Sequence, residues 1–309
     1  MPYGVLFRGG AEAEIRKNII ERGYIKGIIG LPPNLFYGTS IPASIIIFDK
    51  ENAENRKGIF IIDTSKGFVK DGNKNRLQAK DIHKIIDSFE KQLDIPNFSR
   101  MIPLSEISNE KNDHNLNISR YIDSQKEEDI QDIEAHLKGG IPSKDIDDLD
   151  KYWKVYPSIR KILFSPNKRD GYENLNIEKS KISSTIFNHS EFQNFSNKIN
   201  KTFIQWENEN TSLLNGIKIG TNPKKLITHI SEYILNKFSK IPLIDKYAIY
   251  QHLMSYWEET MQDDVYLISQ NDWNASLFQI KNKNGKETGW DSELIPKIIV
   301  ISKYLSLIH

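Results

Sequence analysis

The chain contains 309 residues, with 42 Lys and Arg against 41 Asp and Glu, a net charge of +1 and no cysteine. A disulfide framework, a cysteine-ligated zinc site and a thiol nucleophile are therefore excluded. The longest apolar runs fall far short of the roughly 20 residues that span a bilayer, and the N-terminus lacks the pattern of a secretory signal. We expect two domains in a cytoplasmic protein that does not span a membrane.

Charge is segregated along the sequence although the total is close to zero. The net charge is +4 in residues 1–103, −7 in 104–151, +7 in 152–246 and −3 in 247–309. An acidic block followed by a basic block can mark a surface that contacts nucleic acid or protein. Solvated helix faces are the more frequent cause of such a pattern, so charge alone leaves both interpretations open.

The first 65 residues have the pattern of an α/β sheet. Apolar runs predict strands at 3–7 and 24–31, and apolar residues at helical spacing predict a helix at 11–22 between them. Continuous apolar runs at 43–48 and 58–62 are typical of strands that are buried on both faces. We therefore expect a β-α-β unit with a parallel sheet.

The sheet is expected to end soon after these strands. The polar stretch 49–57 suits a hairpin at the sheet edge, and 64–76 is rich in Gly, Lys and Asn and is predicted to be a loop. A helix at 82–92 leads to a boundary near 96–103. The second half is expected to be mostly helical, with helices at 130–137, 145–156, 190–214, 223–239 and 244–261.

Known cofactor and catalytic motifs are missing. Gly9 and Gly10 lack the spacing of a dinucleotide-binding loop, and the sequence contains no P-loop, no nucleophile elbow and no H-E-x-x-H. The seven histidines have no paired spacing and are more often surface residues than metal ligands. We therefore name no catalytic, cofactor-binding or metal-ligating residue.

The strongest local feature is the loop LPPNLFYGTSIP at 31–42, which lies between two predicted strands. Two prolines, two adjacent aromatic residues and a Gly-Thr-Ser turn suit a wall on which a planar group stacks, as an extruded nucleic-acid base does. A rigid crossover whose Phe36 fills the core beneath it explains the same residues equally well.

Three stretches, at 4–17, 27–32 and 34–42, resemble the modification (M) subunit of type I restriction-modification systems, an adenine-N6 DNA methyltransferase. Six later stretches follow in the same order as in that family, at 60–63, 75–77, 117–122, 132–142, 152–158 and 245–266. The resemblance implies the C-terminal part of a Rossmann-like methyltransferase sheet, followed by a mostly α-helical region. The expected domains are 1–100 for the methyltransferase part and 101–309 for subunit and DNA contacts.

The resemblance also implies a site and partners. The loop that faces the target adenine would use Pro32, Pro33, Asn34, Phe36, Thr39 and Pro42. The partners would be DNA, the specificity subunit, the restriction subunit and a second M subunit. A basic run interleaved with aromatic residues supplies three candidates for DNA-backbone contacts, Lys161, Lys168 and Arg169. The aromatic residues of that run are more often core residues.

Two family motifs are not present. The family holds S-adenosylmethionine on a Gly-rich loop and the target amine on an Asn-Pro-Pro-aromatic motif, whereas Asn222-Pro223-Lys224 lacks the second Pro and the aromatic residue. We expect that these 309 residues alone neither bind the cofactor nor transfer a methyl group. We also expect the strand at 3–7 to have an open, apolar edge, which predicts poor solubility or completion by a second polypeptide.

Two other interpretations remain open. The chain also fits a non-enzymatic module that docks onto a specificity or M subunit through one of two aromatic helix faces, Phe192, Phe195, Ile199, Phe203 and Trp206 or Tyr247, Tyr250, Leu253, Tyr256 and Trp257. Alternatively, its beginning and end are consistent with a split or frameshifted reading frame.

Overall fold

A computed structural model describes residues 1–124, 131–274, 276–292 and 294 and divides the chain into two compact units, 1–130 and 131–309. The helices and strands of the first unit are α1 (Ala11–Glu21), β1 (Ile25–Gly30), β2 (Ser44–Phe48), β3 (Gly58–Asp63), β4 (Val69–Asp71), β5 (Lys74–Arg76), α2 (Ala79–Lys91), β6 (Ser99–Pro103) and α3 (Leu104–Ile107). The predicted α/β class is confirmed.

The first unit is built on a four-stranded mixed sheet with the order β2-β1-β3-β6. β1 and β3 are parallel, with Ile28 beside Ile61, and the two outer strands run antiparallel to their neighbours. The two parallel strands lie at the centre of the sheet and are almost wholly buried, as continuous apolar runs predict.

Side chains alternate across this sheet and form two apolar layers. Ile28 and Ile61 pack on one face with Ile20 of α1, and Ile29 and Phe60 face the other way, toward α2. Gly27 allows this close packing, since a Cβ there would lie 2.5 Å from the ring of Phe89 and 2.8 Å from the carbonyl oxygen of Phe60.

The predicted strand at 3–7 is wrong. Residues Tyr3–Leu6 form a 3-10 helix, in which the N–H of Val5 donates to the carbonyl oxygen of Pro2 and the N–H of Phe7 donates to that of Gly4. Leu6 is fully buried and its carbonyl accepts from the N–H of Leu116. A short apolar run without clear periodicity fits a strand and a helical turn equally well. Here the run forms a helical turn with a buried residue.

The two edge strands of the sheet are β2 and β6, and the edge next to the N-terminal residues is β2. Residues 1–3 pair with the start of this strand, next to residues 42–44, and no other described segment pairs with its outer side. A groove of about 200 Å³ runs beside it, lined by Ile15, Ile46 and Phe48 among others. Ile15 is 61% exposed and Phe48 54% exposed. The predicted apolar edge exists, but on a different strand.

Two further predictions about the sheet are wrong. Residues 49–57 do not form a hairpin, because β2 and β3 are separated by β1 and the connection crosses between them. The sheet also continues beyond its predicted end and into the predicted boundary segment 96–103: β6 pairs with β3, and Ile102 is fully buried. Short edge strands with alternating burial carry a weak sequence signal.

The structure groups residues 101–130 with the first unit, whereas the sequence places the domain boundary at 100/101. The physical reason is that apolar side chains of this segment pack into the core of the first unit. Ile107, Leu116, Ile118 and Tyr121 belong to the same buried cluster as Leu6 and α1.

The second unit is mostly helical, as expected. Its elements are α4 (Ile133–Lys138), β7 (Ile141–Pro142), α5 (Ser143–Asp147), α6 (Asp150–Trp153), α7 (Pro157–Leu163), β8 (Phe164–Pro166), β9 (Tyr172–Leu175), α8 (Ile182–Asn188), α9 (Ser190–Asn215), α10 (Pro223–Phe238), α11 (Lys246–Tyr256), α12 (Gln262–Asn271), β10 (Leu277–Lys281) and β11 (Glu287–Ser292). The long helices bury Trp206, Ile230 and Trp257 together. The small sheet β7-β9-β8 was not predicted.

Arg16 ties three separate segments of the first unit together. Its buried guanidinium donates to the carbonyl oxygens of His114 at 2.9 Å, Arg8 at 2.9 Å and Val5 at 3.2 Å. Burial lowers the pKa of Arg16, and nearby acidic groups oppose that shift. One cation thus fixes α1 against the N-terminal turn and the segment after α3.

Replacing Arg16 by Met should therefore destabilise the first unit. The three carbonyl oxygens lose a charged donor, and such hydrogen bonds contribute about 1.5–3 kcal/mol each, so we expect a loss of roughly 3 kcal/mol or more in the free energy of unfolding. Urea unfolding measures the loss. Lys17→Met, at an exposed position of the same helix, is the control and should change stability by less than about 0.5 kcal/mol. Equal stability of the two variants would contradict this role.

Candidate nucleic-acid interface

Two segments meet at one edge of the sheet because β1 and β3 are parallel. The loop after β1 and the segment after β3 both leave at the carboxyl ends of their strands. In open α/β sheets, ligands bind at this edge. Thr64 joins the two strand ends, since its N–H and its hydroxyl donate to the carbonyl oxygen of Gly30 at 2.9 and 2.5 Å.

The loop at 31–42 presents its aromatic residues to solvent. Leu31 and Pro32 are buried at its base, and Leu35 packs against the sheet. Phe36 is 50% exposed and Tyr37 is 92% exposed. The structure therefore fills the core with Leu35, and Phe36 lies at the surface, which removes the interpretation that Phe36 fills the core.

Backbone geometry turns the loop outward at two positions. Asn34 has a φ of 56° and Gly38 a φ of 76°, in the left-handed region that Asn and Gly tolerate best. The hydroxyl of Thr39 accepts from the N–H of Ile41 at 3.0 Å and closes the Gly-Thr-Ser turn. The two aromatic residues lie between these two turns.

The segment at 64–76, predicted to be a loop, contains the β4–β5 hairpin, and this hairpin holds the loop in place. The Asn75 side chain donates to the carbonyl oxygen of Pro33 at 2.6 Å, and its backbone N–H donates to that of Asn34 at 3.0 Å. The ammonium of Lys74 donates to the carbonyl oxygen of Phe36 at 2.8 Å. The amide oxygen of Asn75 is buried and has no hydrogen-bond partner among the described residues.

The phenol of Tyr3, beneath the loop, is not a base suited to neutral pH. Burial, helped by the negative charge of Asp63, raises the pKa of Tyr3 to about 12. The carboxylate of Asp63 accepts from the N–H of Ser65 at 2.9 Å. Tyr3 remains a neutral phenol at pH 7, whereas a general base works best with a pKa near the operating pH.

The six loop residues named from the sequence lie together at this edge. Phe36 is exposed and Pro32 is buried, and the other four, Pro33, Asn34, Thr39 and Pro42, are partly buried. Sequence reasoning missed Tyr37 and Asn75. The adjacent aromatic pair was a signal for Tyr37, but nothing in a Lys- and Asn-rich stretch indicated that Asn75 would anchor the loop.

The three DNA-backbone candidates of the second unit have different surroundings. Lys161 and Lys168 are exposed. The guanidinium of Arg169 lies 3.4 Å from the ring centre of Tyr172 and donates to the carbonyl oxygens of Gly139 at 2.8 Å and Glu134 at 3.3 Å. Arg169 thus already joins α4 to β9, whereas Lys161 and Lys168 make no such contact with the residues that the structure describes.

The aromatic residues of this basic segment are mostly core residues. Tyr156 is buried and its ring contacts Phe192 and Phe195, and the indole N–H of Trp153 donates to the carbonyl oxygen of Ile146 at 2.6 Å. On the long helices, Trp206, Tyr247 and Trp257 are likewise buried, and Phe203 and Tyr256 are about half exposed.

Glu191 holds α7 in place. Its carboxylate accepts from the N–H of Ser158 at 3.1 Å and from that of Ile159 at 3.3 Å, at the start of the helix that carries Lys161. Burial opposes ionisation of Glu191, but the hydrogen bonds from Ser158 and Ile159 outweigh it and lower its pKa below the usual 4.5. The carboxylate form is therefore favoured in the folded chain.

Other kinds of site are not found in the described part of the chain. Residues 1–124 and 131–294, apart from the gaps at 275 and 293, contain no group of three or more side chains suited to hold a metal ion. Within the same residues, no helix combines the length and apolar character needed to cross a membrane.

Comparison with known proteins finds a family match for the first unit. Residues 1–130 match the model of the N-6 DNA Methylase family. This chain resembles the methylase subunits of type I restriction enzymes. The MjaVII methylase subunit of Methanocaldococcus jannaschii is 42% identical over 139 residues, which are 44% of this chain and 24% of that protein. The MpnII methylase subunit of Mycoplasma pneumoniae is 35% identical over 132 residues, which are 43% of this chain and 24% of that protein.

A solved structure is similar over a slightly smaller share of the chain. The type I restriction-modification methyltransferase subunit from Streptococcus thermophilus is 44% identical, with a TM-score of 0.36, over 39% of this chain and 25% of that one. The resemblance predicted from the sequence is confirmed by the curated relatives over about 44% of this chain, and the predicted matches in the rest of the chain stay predictions. The chain spans about a quarter of the length of the curated relatives it matches.

Removing the Asn75 side chain should release the loop. Asn75→Ala loses the bond to Pro33, and we expect faster cleavage by chymotrypsin after Phe36 or Tyr37, together with a loss of about 1 kcal/mol in the free energy of unfolding. Timed proteolysis with mass spectrometry gives the cleavage site. Asn73→Ala, at an exposed position in the turn of the same hairpin, is the control. Unchanged cleavage in the Asn75 variant would rule out this anchor.

Glu191→Gln should lower stability at neutral pH and remove part of the acid sensitivity. Because the folded pKa of Glu191 is lowered, its contribution is complete above the unfolded value of about 4.5 and is lost as pH falls through the folded pKa. We expect the urea midpoints of the variant and the original chain to differ at pH 7 and to converge near pH 3. Glu207→Gln, exposed on the same helix, is the control and should leave the pH profile of stability unchanged. Parallel profiles for all three proteins would refute the stabilisation of α7 by the Glu191 carboxylate.

Proposed function

We propose that this chain is part of an adenine-N6 DNA methyltransferase, the modification subunit of a type I restriction-modification system. The observation that carries the proposal is the family match of residues 1–130, which includes the exposed aromatic loop at the carboxyl edge of the sheet. The 42% identity to a type I methylase subunit supports it.

In this proposal the loop at 31–42 faces the extruded adenine. Phe36 and Tyr37 offer exposed ring faces on which a base stacks, and such stacking contributes about 1–3 kcal/mol. Pro32, Pro33 and Pro42 restrict the loop backbone, and Asn34 and Gly38 set its turns. The hydroxyl of Thr39 already accepts a hydrogen bond within the loop. Ser40 is exposed and is the better placed of the two for a phosphate contact.

We infer that the residues that the structure describes do not form a site for S-adenosylmethionine. Gly9 and Gly10 precede α1 and are exposed, but Glu12 and Glu14 lie in its first turn, where they would repel the carboxylate of the cofactor. The Asn-Pro-Pro-aromatic motif is absent from the sequence. We therefore infer that these 309 residues do not methylate DNA alone, and we derive no step of methyl transfer from them.

Completion by a second polypeptide is part of the proposal. The alternation of an antiparallel ladder directs the backbone groups of Ile46 and Phe48 to the outer side of β2, next to the apolar groove. A strand from a polypeptide that carries the two missing motifs would satisfy these groups. DNA, the specificity subunit, the restriction subunit and a second modification subunit are the remaining proposed partners.

A non-enzymatic docking module is the second candidate. The observation in its favour is that Phe203 and Tyr256 are exposed on α9 and α11, although the other aromatic residues of those helices are buried or partly buried. A pull-down separates the two functions: the docking module binds the specificity subunit without cofactor and without the missing motifs.

Reconstitution tests the enzymatic proposal. The chain is co-expressed with a polypeptide that carries the Gly-rich loop and the Asn-Pro-Pro-aromatic motif, and methyl incorporation into adenine is measured on the purified complex. We expect activity from the complex and none from the chain alone. Replacing both Phe36 and Tyr37 by Ala should lower kcat/KM by about 10- to 100-fold, since base stacking is lost.

Tyr37→Phe is the matched control and should retain activity, because it keeps the ring. Calorimetric titration of the chain alone with S-adenosylmethionine should show no saturable binding. Tight binding in that titration would contradict the missing cofactor site, and an inactive complex that assembles stably would contradict the assignment as a methyltransferase.

A further inference from the structure

The segment at 64–76 carries an excess of positive charge. It contains Lys66, Lys70, Lys74 and Arg76 but a single acidic residue, Asp71. Arg76 is paired with Asp71 at 3.3 Å across the hairpin. The three lysines have no carboxylate within ion-pair distance among the described residues, so their charges are available to a ligand.

Aromatic rings lie beside two of these lysines. The ammonium of Lys70 is 5.7 Å from the ring centre of Phe68, and that of Lys74 is 5.6 Å from the ring centre of Tyr37. Lys74 also donates to the backbone of the aromatic loop. Cations and at least partly exposed rings therefore follow one another along the loop and the hairpin segment, and we call this set the hairpin surface: Phe36, Tyr37, Lys66, Phe68, Lys70 and Lys74.

Contacts within the chain preorganise the hairpin surface for binding. Asn75 is buried and bonds to the loop, and it pairs in register with Lys70 on the opposite strand of the hairpin. A Lys side chain on a fixed hairpin loses less freedom on binding than one on a free loop, so the arrangement favours binding.

We propose that the hairpin surface binds a single DNA strand, with Lys66, Lys70 and Lys74 at its phosphates and Tyr37 stacked on a base. Alternating cations and rings are the features by which proteins hold single-stranded nucleic acid. This inference rests on the proposed function and adds to it a phosphate-binding element outside the loop. It places the strand that carries the target base across the hairpin.

Two double variants test the lysines. Lys66→Gln with Lys70→Gln removes two charges from the hairpin surface. Lys50→Gln with Lys57→Gln removes two exposed charges at the opposite edge of the same sheet, where Lys50 also lies 5.2 Å from a ring, that of Tyr24. The two variants thus match in net charge and in the loss of one cation–π contact.

Binding of a fluorescein-labelled, 16-nucleotide DNA strand is measured by anisotropy from about 0.05 to 0.3 M salt, without cofactor. Loss of two phosphate contacts should reduce the slope of log K against log salt by about 1.4 and weaken binding about 25-fold near 0.1 M salt. The control variant should keep the original slope. Tyr37→Ala should weaken binding about 10-fold and Tyr37→Phe should not.

Each contrary result is informative in its own way. No DNA binding by the original chain, or equal slopes for the two double variants, would overturn the hairpin surface. An RNA strand of the same sequence that competes better than the DNA would overturn the assignment to DNA. A normal slope change with an inactive reconstituted complex would support the hairpin surface while refuting the methyltransferase assignment, so the two failures are distinguishable.

Discussion

The parallel pairing of β1 with β3 is the constraint on which the candidate site depends. It brings the carboxyl ends of two strands, at Gly30 and Asp63, to one edge of the sheet, and the chain segments that follow are forced to meet there. Thr64 bonds directly to the end of β1. An antiparallel pair would send these two segments to opposite edges, and the aromatic loop would then have no hairpin beneath it.

Hydrogen bonds between the hairpin and the loop then fix the shape of this surface. The loop cannot use a regular ladder because its prolines lack N–H donors, so side chains of the hairpin satisfy its carbonyl oxygens instead. Asn75 and Lys74 do this at Pro33 and Phe36. The sheet thus positions the loop and the hairpin holds its backbone, while the rings of Phe36 and Tyr37 remain exposed at the surface.

The sequence predicted the parts of the molecule that have strong periodicity. The continuous apolar runs identified β1 and β3, and the aromatic stripe identified α9. It misplaced the strand at 3–7, because a five-residue apolar run fits a buried turn as well as a strand. The site was found in part: the loop sequence was visible, whereas Asn75 acts through a contact 42 residues away in sequence, which no local pattern records.

The buried phenols of the first unit have a spectroscopic consequence. Burial raises the pKa of both Tyr3 and Tyr121 to about 12, from an ordinary value of 10.0. In an alkaline titration these two rings would remain un-ionised after exposed tyrosines have become tyrosinate. Their delayed near-ultraviolet absorbance change is thus an intrinsic reporter of burial that needs neither a dye nor an added label, and Tyr156, Tyr172 and Tyr250 of the second unit, whose pKa values are also raised, contribute to the same late signal.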